Sequence, residues 1–179
     1  QLTFHDFDVL HCGIDFNIGG CVCIVCGLKD DKAYVVDGFA VYDTQSIANN
    51  LFKYKNKRII LYPDASGNQR STNASKSDVQ ILIDNGFQVM ANKSNPAIRD
   101  RVNSVNRLFA QDRLLINTNI QQVVNSLSIQ AYNKNGEPEK FHEHNGGAID
   151  DWNDALGYFI EYYFGFGRNT VTHQPLNFR

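Results

Sequence analysis

No apolar run in this chain approaches the roughly 20 residues needed to span a bilayer, and its N-terminus lacks the basic-then-apolar order of a secretory leader. These absences imply a soluble, intracellular setting and no membrane partner. Basic charge is not in excess either. With 17 Lys and Arg against 19 Asp and Glu, the formal net charge of −2 argues against a uniformly basic nucleic-acid-binding surface and leaves room only for a local patch. There is one methionine, Met90, and the chain begins at Gln1, so it reads as an excised domain or a processed product.

Several kinds of chemistry are missing as well. The sequence contains no GxxxxGK[ST] phosphate loop, no GxSxG elbow and no HExxH pair. Its four cysteines, Cys12, Cys21, Cys23 and Cys26, all fall in strand-like segments near the N-terminus, as reduced core thiols do. Cys23 and Cys26 have CxxC spacing, but residues three apart in a strand point to opposite faces, and no second pair completes a zinc site.

What is present is enough apolar residue, 42% of 179, for one domain with a sizeable core. The pattern is that of an α/β chain. Asp8 to Phe16 alternates as a first strand, with Cys12, Ile14 and Phe16 on one face and Gly13, Asp15 and Asn17 on the other. Cys21 to Cys26 and Ala33 to Tyr42, joined through the Lys29-Asp30-Asp31-Lys32 tip, complete an antiparallel meander. Asp43-Thr44 caps a crossover helix carrying Ile47, Ala48, Leu51 and Phe52, and Ile59 to Tyr62 is the unalternated run of a strand buried on both faces.

A polar loop over Ser66 to Ser77 carries Arg70 and Lys76. A short helix over Asp78 to Asn85 and a strand over Phe87 to Ala91 follow. Asn95-Pro96 opens a helix through Ala110 whose apolar stripe reads Ile98, Val102, Val105 and Phe109. Arg99, Arg101 and Arg107 lie off that stripe, either as a solvated face or as a phosphate-contacting patch. Leu114 to Ile116 is a further strand, Gln121 to Tyr132 a helix, and Asn133 to Gly147 a polar loop holding His142-Glu143-His144, a loop feature or an outer-shell group. The last helix starts near Ile149. From Gly165 to Arg179 no periodicity survives, and the segment reads as a tail or linker.

Asp15 organises the rest, because an ionised carboxylate inside a buried strand is costly without a partner. Asp64, ending the fourth strand, and Asp150, Asp151 and Asp154, opening the last helix, supply further acids far away in sequence. Each has a structural alternative: a loop-bonded acid for Asp15, turn chemistry for Asp64, and capping for Asp150 and Asp151. Capping explains little at Asp154, a full turn inside. Together the acids provide the oxygen donors that hard divalent cations take, with waters left to exchange for phosphate. If they converge, two ions about 3.5–4 Å apart serve in-line displacement at a phosphodiester.

Four stretches in combination carry a family resemblance. Gly13-Ile14-Asp15-Phe16-Asn17-Ile18-Gly19, Pro63-Asp64-Ala65-Ser66-Gly67, the run from Asn95-Pro96 to Arg101-Val102-Asn103, and Asp151-Trp152-Asn153-Asp154-Ala155-Leu156 resemble the nuclease domain of the large terminase subunit of tailed bacteriophages, up to about Phe164. The resemblance implies a ribonuclease H-like mixed sheet with its first three strands antiparallel, flanked by helices, over residues 1–164. It implies an endonuclease that uses Mg²⁺ or Mn²⁺ to cut concatemeric viral DNA during packaging. Asp15, Asp64 and Asp154 match the catalytic metal ligands. Asp151 stands where some members carry a supporting ligand, often His, and Asp150 is a weaker candidate.

Read as a phosphate-contacting set, Arg99, Arg101, Arg107, Lys76 and Arg70 are the candidates to meet double-stranded DNA. The resemblance implies that a packaging ATPase domain of the same protein lies outside this chain, and that the portal protein and the small terminase subunit are partners. The setting would be the host cell cytoplasm during phage assembly. Two other readings remain open, a Holliday-junction resolvase-like nuclease of the same fold and a non-cleaving module that docks on DNA or the portal.

Overall fold

The computed structural model describes residues 1–17, 20–68, 76–140 and 148–165. Three long strands, β1 (Val9–Asn17), β2 (Gly20–Lys29) and β3 (Lys32–Val41), form the antiparallel meander that the alternation predicts. The β2–β3 connection is the two-residue turn Asp30-Asp31, both with positive φ (51° and 59°), a conformation that short polar side chains tolerate and that suits the twist of a hairpin.

Helix α1 (Thr44–Leu51) is capped by Asp43, whose carboxylate accepts from the Ser46 amide at 2.8 Å. It returns the chain to β4 (Arg58–Pro63), which lies parallel to β1. Helix α2 (Asp78–Asp84), β5 (Gln88–Val89), α3 (Ile98–Ala110), β6 (Leu114–Ile116), α4 (Gln121–Ile129) and α5 (Asp150–Phe164) follow. The six strands stand in the order β5-β4-β1-β2-β3-β6, with β5 parallel to β4 and β6 parallel to β3.

The sheet separates two apolar layers. Leu10, Cys12, Ile14 and Cys23 face α1 and α2, where Ile47, Leu51 and Leu82 cover them. Val22, Ile24 and Cys26 face Val105 and Leu108 of α3, Val123 of α4, and Leu156, Phe159 and Ile160 of α5. Cys23 and Cys26 therefore lie on opposite faces, all four thiols are free and buried, and burial pushes the Cys23 and Cys26 thiols far above their ordinary range. At about 1.5–3 kcal/mol for each large apolar side chain fully buried, α5 is anchored chiefly by Leu156, Phe159 and Ile160, each 0% exposed.

Three sequence expectations change. The fifth strand is Gln88–Val89 rather than Phe87 to Ala91. Helix α4 stops at Ile129 rather than Tyr132, because Gln130 turns extended (φ −67°, ψ 114°) and Tyr132 pairs with Pro138. The buried face of α3 is Arg101, Ser104, Val105 and Leu108, with Ile98 and Phe109 exposed, so the stripe is rotated from the expected one and carries an arginine inside it. Among the described residues no helix is long and apolar enough to cross a membrane.

Candidate metal centre

The centre of the site is the carboxyl end of β1. Alternation turns Gly13, Asp15 and Asn17 toward α5, and Gly13 admits the helix: a Cβ there would overlap the Ala155 carbonyl oxygen and stand 3.3 Å from the Phe159 Cβ. The approach brings the first turns of α5 over the end of the strand. Asp64 arrives from the other side, since β4 pairs in register with β1 (Gly13 with Tyr62, Ile14 with Pro63) and the Asp64 amide continues the ladder onto the Ile14 carbonyl at 2.9 Å. Asp15 and Asp64 are thus neighbours at the ends of adjacent parallel strands, 5% and 7% exposed.

Neutral donors hold these carboxylates. Asn17 Nδ2 donates both to Asp15 Oδ2 at 2.6 Å and to Asp151 Oδ1 at 2.9 Å, linking β1 to α5. Asp64 accepts from the Ser66 amide and hydroxyl, both at 2.8 Å, and from Asn95 Nδ2 at 2.6 Å. Asn95 in turn accepts from the Ala65 amide at 2.8 Å and so fixes the turn after β4. Asp154, one turn into α5, has Arg101 Nη1 at 3.1 Å from its Oδ1.

The acids act on one another electrostatically. Burial pushes the Asp15 carboxyl up to about 8, and the charges of Asp154, Asp151 and Asp64 each add to the rise, with Arg101 opposing it. Burial likewise raises Asp154 and Asp151, the latter helped by Asp154. Asp150, the first residue of α5, is raised chiefly by burial. The cap position of α5 is Ile149, which makes no side-chain cap, so Asp150 and Asp151 complement the helix dipole without capping it. Among the described residues no three His, Cys, Asp or Glu side chains stand so as to hold a metal ion as they are placed. The donor set is nevertheless all oxygen and mutually repulsive, which fits a hard divalent cation.

The basic residues are distributed otherwise than expected. Arg101 is not on a solvated face: it is 5% exposed, with its Cζ 4.4 Å from the centre of the Tyr158 ring and its stem against Gly157. Arg107 donates to the Phe164 carbonyl, at the far end of α5 from the acids. Arg99 is exposed, and Lys76 pairs with Asp84 at 2.5 Å. Arg70 and His142-Glu143-His144 lie outside the described residues. Sequence reasoning missed Ser66 and Asn95, and left Asn17 as an amide sharing the face of Asp15. The i, i+2 spacing of Asp15 and Asn17 was the available signal. Nothing local links Asn95 to Asp64, 31 residues earlier.

A mixed sheet with an antiparallel meander first, acids at the ends of two adjacent parallel strands and a helix bearing further acids laid across them defines the ribonuclease H-like class. The chain belongs to the family described as "Terminase RNaseH-like domain", which it matches over residues 13–162. No curated protein matches it. Among solved structures it is similar to the nuclease domain of the P22 large terminase (TM-score 0.68, 14% identity, covering 87% of this chain and 82% of that one). It is also similar to the large terminase of the thermophilic bacteriophage D6E (0.65, 16% identity, 87% of this chain and 40% of that one). A third likeness is to the large terminase nuclease of thermophilic phage G20c with bound cobalt (0.63, 11% identity, 86% of this chain and 80% of that one), which was also solved with bound magnesium. The chain thus spans 40% of the length of the D6E protein. At these identities the likenesses establish the fold.

Proposed function

We propose that this chain is a metal-dependent endonuclease that cuts double-stranded DNA during the packaging of a tailed-phage genome. The observation that carries the reading is Asp15, buried on a central strand with the charges of Asp154, Asp151 and Asp64 acting on it and no salt bridge of its own among the described residues. Bound there, divalent ions would polarise the scissile phosphodiester and make hydroxide available at neutral pH. Asp15, Asp64 and Asp154 would hold two such ions, Mg²⁺ or Mn²⁺, with Asp151 supporting and Asp150 at the edge.

The chain's own residues prepare this arrangement. Asn17 keeps Asp15 and Asp151 together, and Ser66 with Asn95 orients Asp64, so the carboxylates are aimed before substrate arrives. The exposed Arg99 lies on the same helix as Arg101 and suits a DNA phosphate. The cobalt and magnesium bound by the G20c nuclease support the cation reading, and the family supports packaging over junction resolution. During packaging a packaging ATPase domain of the same protein, the portal and the small terminase subunit would be partners, in the host cytoplasm, with residues 1–164 acting as the nuclease unit.

Incubation of the chain with supercoiled plasmid and Mn²⁺ tests the proposal, beside EDTA and Asp15→Asn controls. Nicking and linearisation that both controls abolish are expected. One observation favours a second reading, a module that docks on DNA or the portal without cutting: the described acids do not enclose an ion by themselves. That reading requires stoichiometric binding with the plasmid left intact.

A further inference from the structure

The arginine inside α3 is placed for its charge rather than for its hydrogen bonds. Arg101 is 5% exposed, yet neither its Nε nor its Nη1 has a hydrogen-bond partner among the described residues. Its Nη1 stands 3.1 Å from Asp154 Oδ1 without the directed geometry of a hydrogen bond. An arginine kept for recognition within the fold would have its fork filled. Here the guanidinium is held from the side, stacked 4.4 Å over Tyr158, with its stem in the space that Gly157 leaves: a Cβ at that glycine would stand 3.3 Å from the Arg101 Cβ. Around it lie Asp154, Asp150 and Asp15, and its positive charge acts on all three.

We propose that Arg101 is the resident counter-cation of the carboxylate cluster in the metal-free protein, a positioning residue that competes with the divalent ion for Asp154. Resting on the nuclease reading, it gives the site a second function: the bare acids are kept from repelling one another apart, and metal affinity is set by the exchange of a guanidinium for an ion. A buried cluster of carboxylates with no cation would open or take up protons. With Arg101 fixed on Tyr158, α5 stays in place while empty, and the ion enters by taking over Asp154. The pairing therefore weakens ion binding while it preserves the site.

The test is calorimetric titration of Mn²⁺ into the chain without DNA, for the unaltered protein, Arg101→Met and Arg101→Lys. Removal of the charge should tighten Mn²⁺ binding about tenfold, as loss of one short-range competing cation does, while Arg101→Lys stays within about threefold. The metal-free melting temperature of Arg101→Met should fall, and saturating Mn²⁺ should close most of the gap. Equal or weaker binding by Arg101→Met would overturn the proposal. If that variant does not fold, the Arg101 Nε–H resonance of the unaltered protein decides: it should shift in step with Mg²⁺ saturation, and a resonance unmoved at saturation overturns it. No ion binding by the unaltered protein would overturn the nuclease reading and this one with it.

Discussion

Gly13 on β1 and Ala155 on α5 touch backbone to backbone, so closely that any β-carbon at position 13 would overlap the Ala155 carbonyl oxygen. Asp15 lies two residues beyond the first and Asp154 one residue before the second. The contact therefore sets the separation of two carboxylates that no local sequence relation connects. Replacement of Gly13 by Ala should force α5 away from the sheet, with a stability loss of about 1–3 kcal/mol and cleavage reduced at least about tenfold. Denaturant unfolding and plasmid nicking measure the two effects. Gly20→Ala is the control, since nothing lies within 4 Å of a Cβ there, and its stability should stay within about 1 kcal/mol of the parent.

Asn17 makes a second, separable prediction. Its single amide nitrogen serves Asp15 and Asp151 at 2.6 and 2.9 Å, so Asn17→Ala leaves two crowded carboxyl groups without their shared donor. A lower melting temperature in EDTA, largely recovered in Mn²⁺, is expected, together with a loss of roughly tenfold in cleavage. A melting temperature unchanged in EDTA would show that the bridge carries no strain between the acids.

Asp64 depends on a different loop. Asn95 both donates to its carboxylate and accepts from the Ala65 amide, so Asn95→Ala should cost about 1–2 kcal/mol and lower cleavage, while Ser66→Ala, which leaves the Ser66 amide in place, should do less. Equal effects of the two would contradict the ordering. Unfolding curves and plasmid nicking are again the measurements.

The sheet was readable because its signals are local. Alternation placed Asp15 and Asn17 together on the inner face of β1, the unalternated run gave a central β4, and Asp43 marked the start of α1. Asp15 stood out because a carboxylate is out of keeping with a buried strand, and Asp154 because capping does not explain an acid a full turn inside a helix. Helix α3 shows where such reasoning stops. Val105 was assigned correctly to the buried face, but Arg101 takes a core position because Gly157 and Tyr158, more than 50 residues later, make room for its stem and receive its charge. Arg107 was drawn to the Phe164 carbonyl by another contact of that kind. A stripe of hydrophobic residues carries no trace of either.

The proton balance of Asp15 gives a pH dependence with a definite sign. Its carboxyl is pushed from 3.8 up to about 8 in the folded protein, so between those values the folded state holds a proton that the unfolded chain releases. The stability it contributes is complete below 3.8 and lost as pH rises through about 8. In EDTA the unfolding free energy should therefore decline from about pH 4 to pH 8, and Asp15→Asn should flatten the decline. An ion competes with that proton, so the rise in melting temperature given by Mn²⁺ should grow across the same range. Thermal unfolding across that range, with EDTA and with Mn²⁺, checks both statements. An undiminished slope in Asp15→Asn would place the titrating group elsewhere.

The central claim is that Asp15, Asp64 and Asp154 jointly hold divalent ions, and anomalous scattering from a crystal soaked in Mn²⁺ tests it most directly. Manganese density is expected at the carboxyl ends of β1 and β4, bounded by these three carboxylates, with the Asp154 oxygen drawn off Arg101. Density elsewhere on the surface, or an Asp154–Arg101 pair unchanged beside a site without manganese, would contradict it.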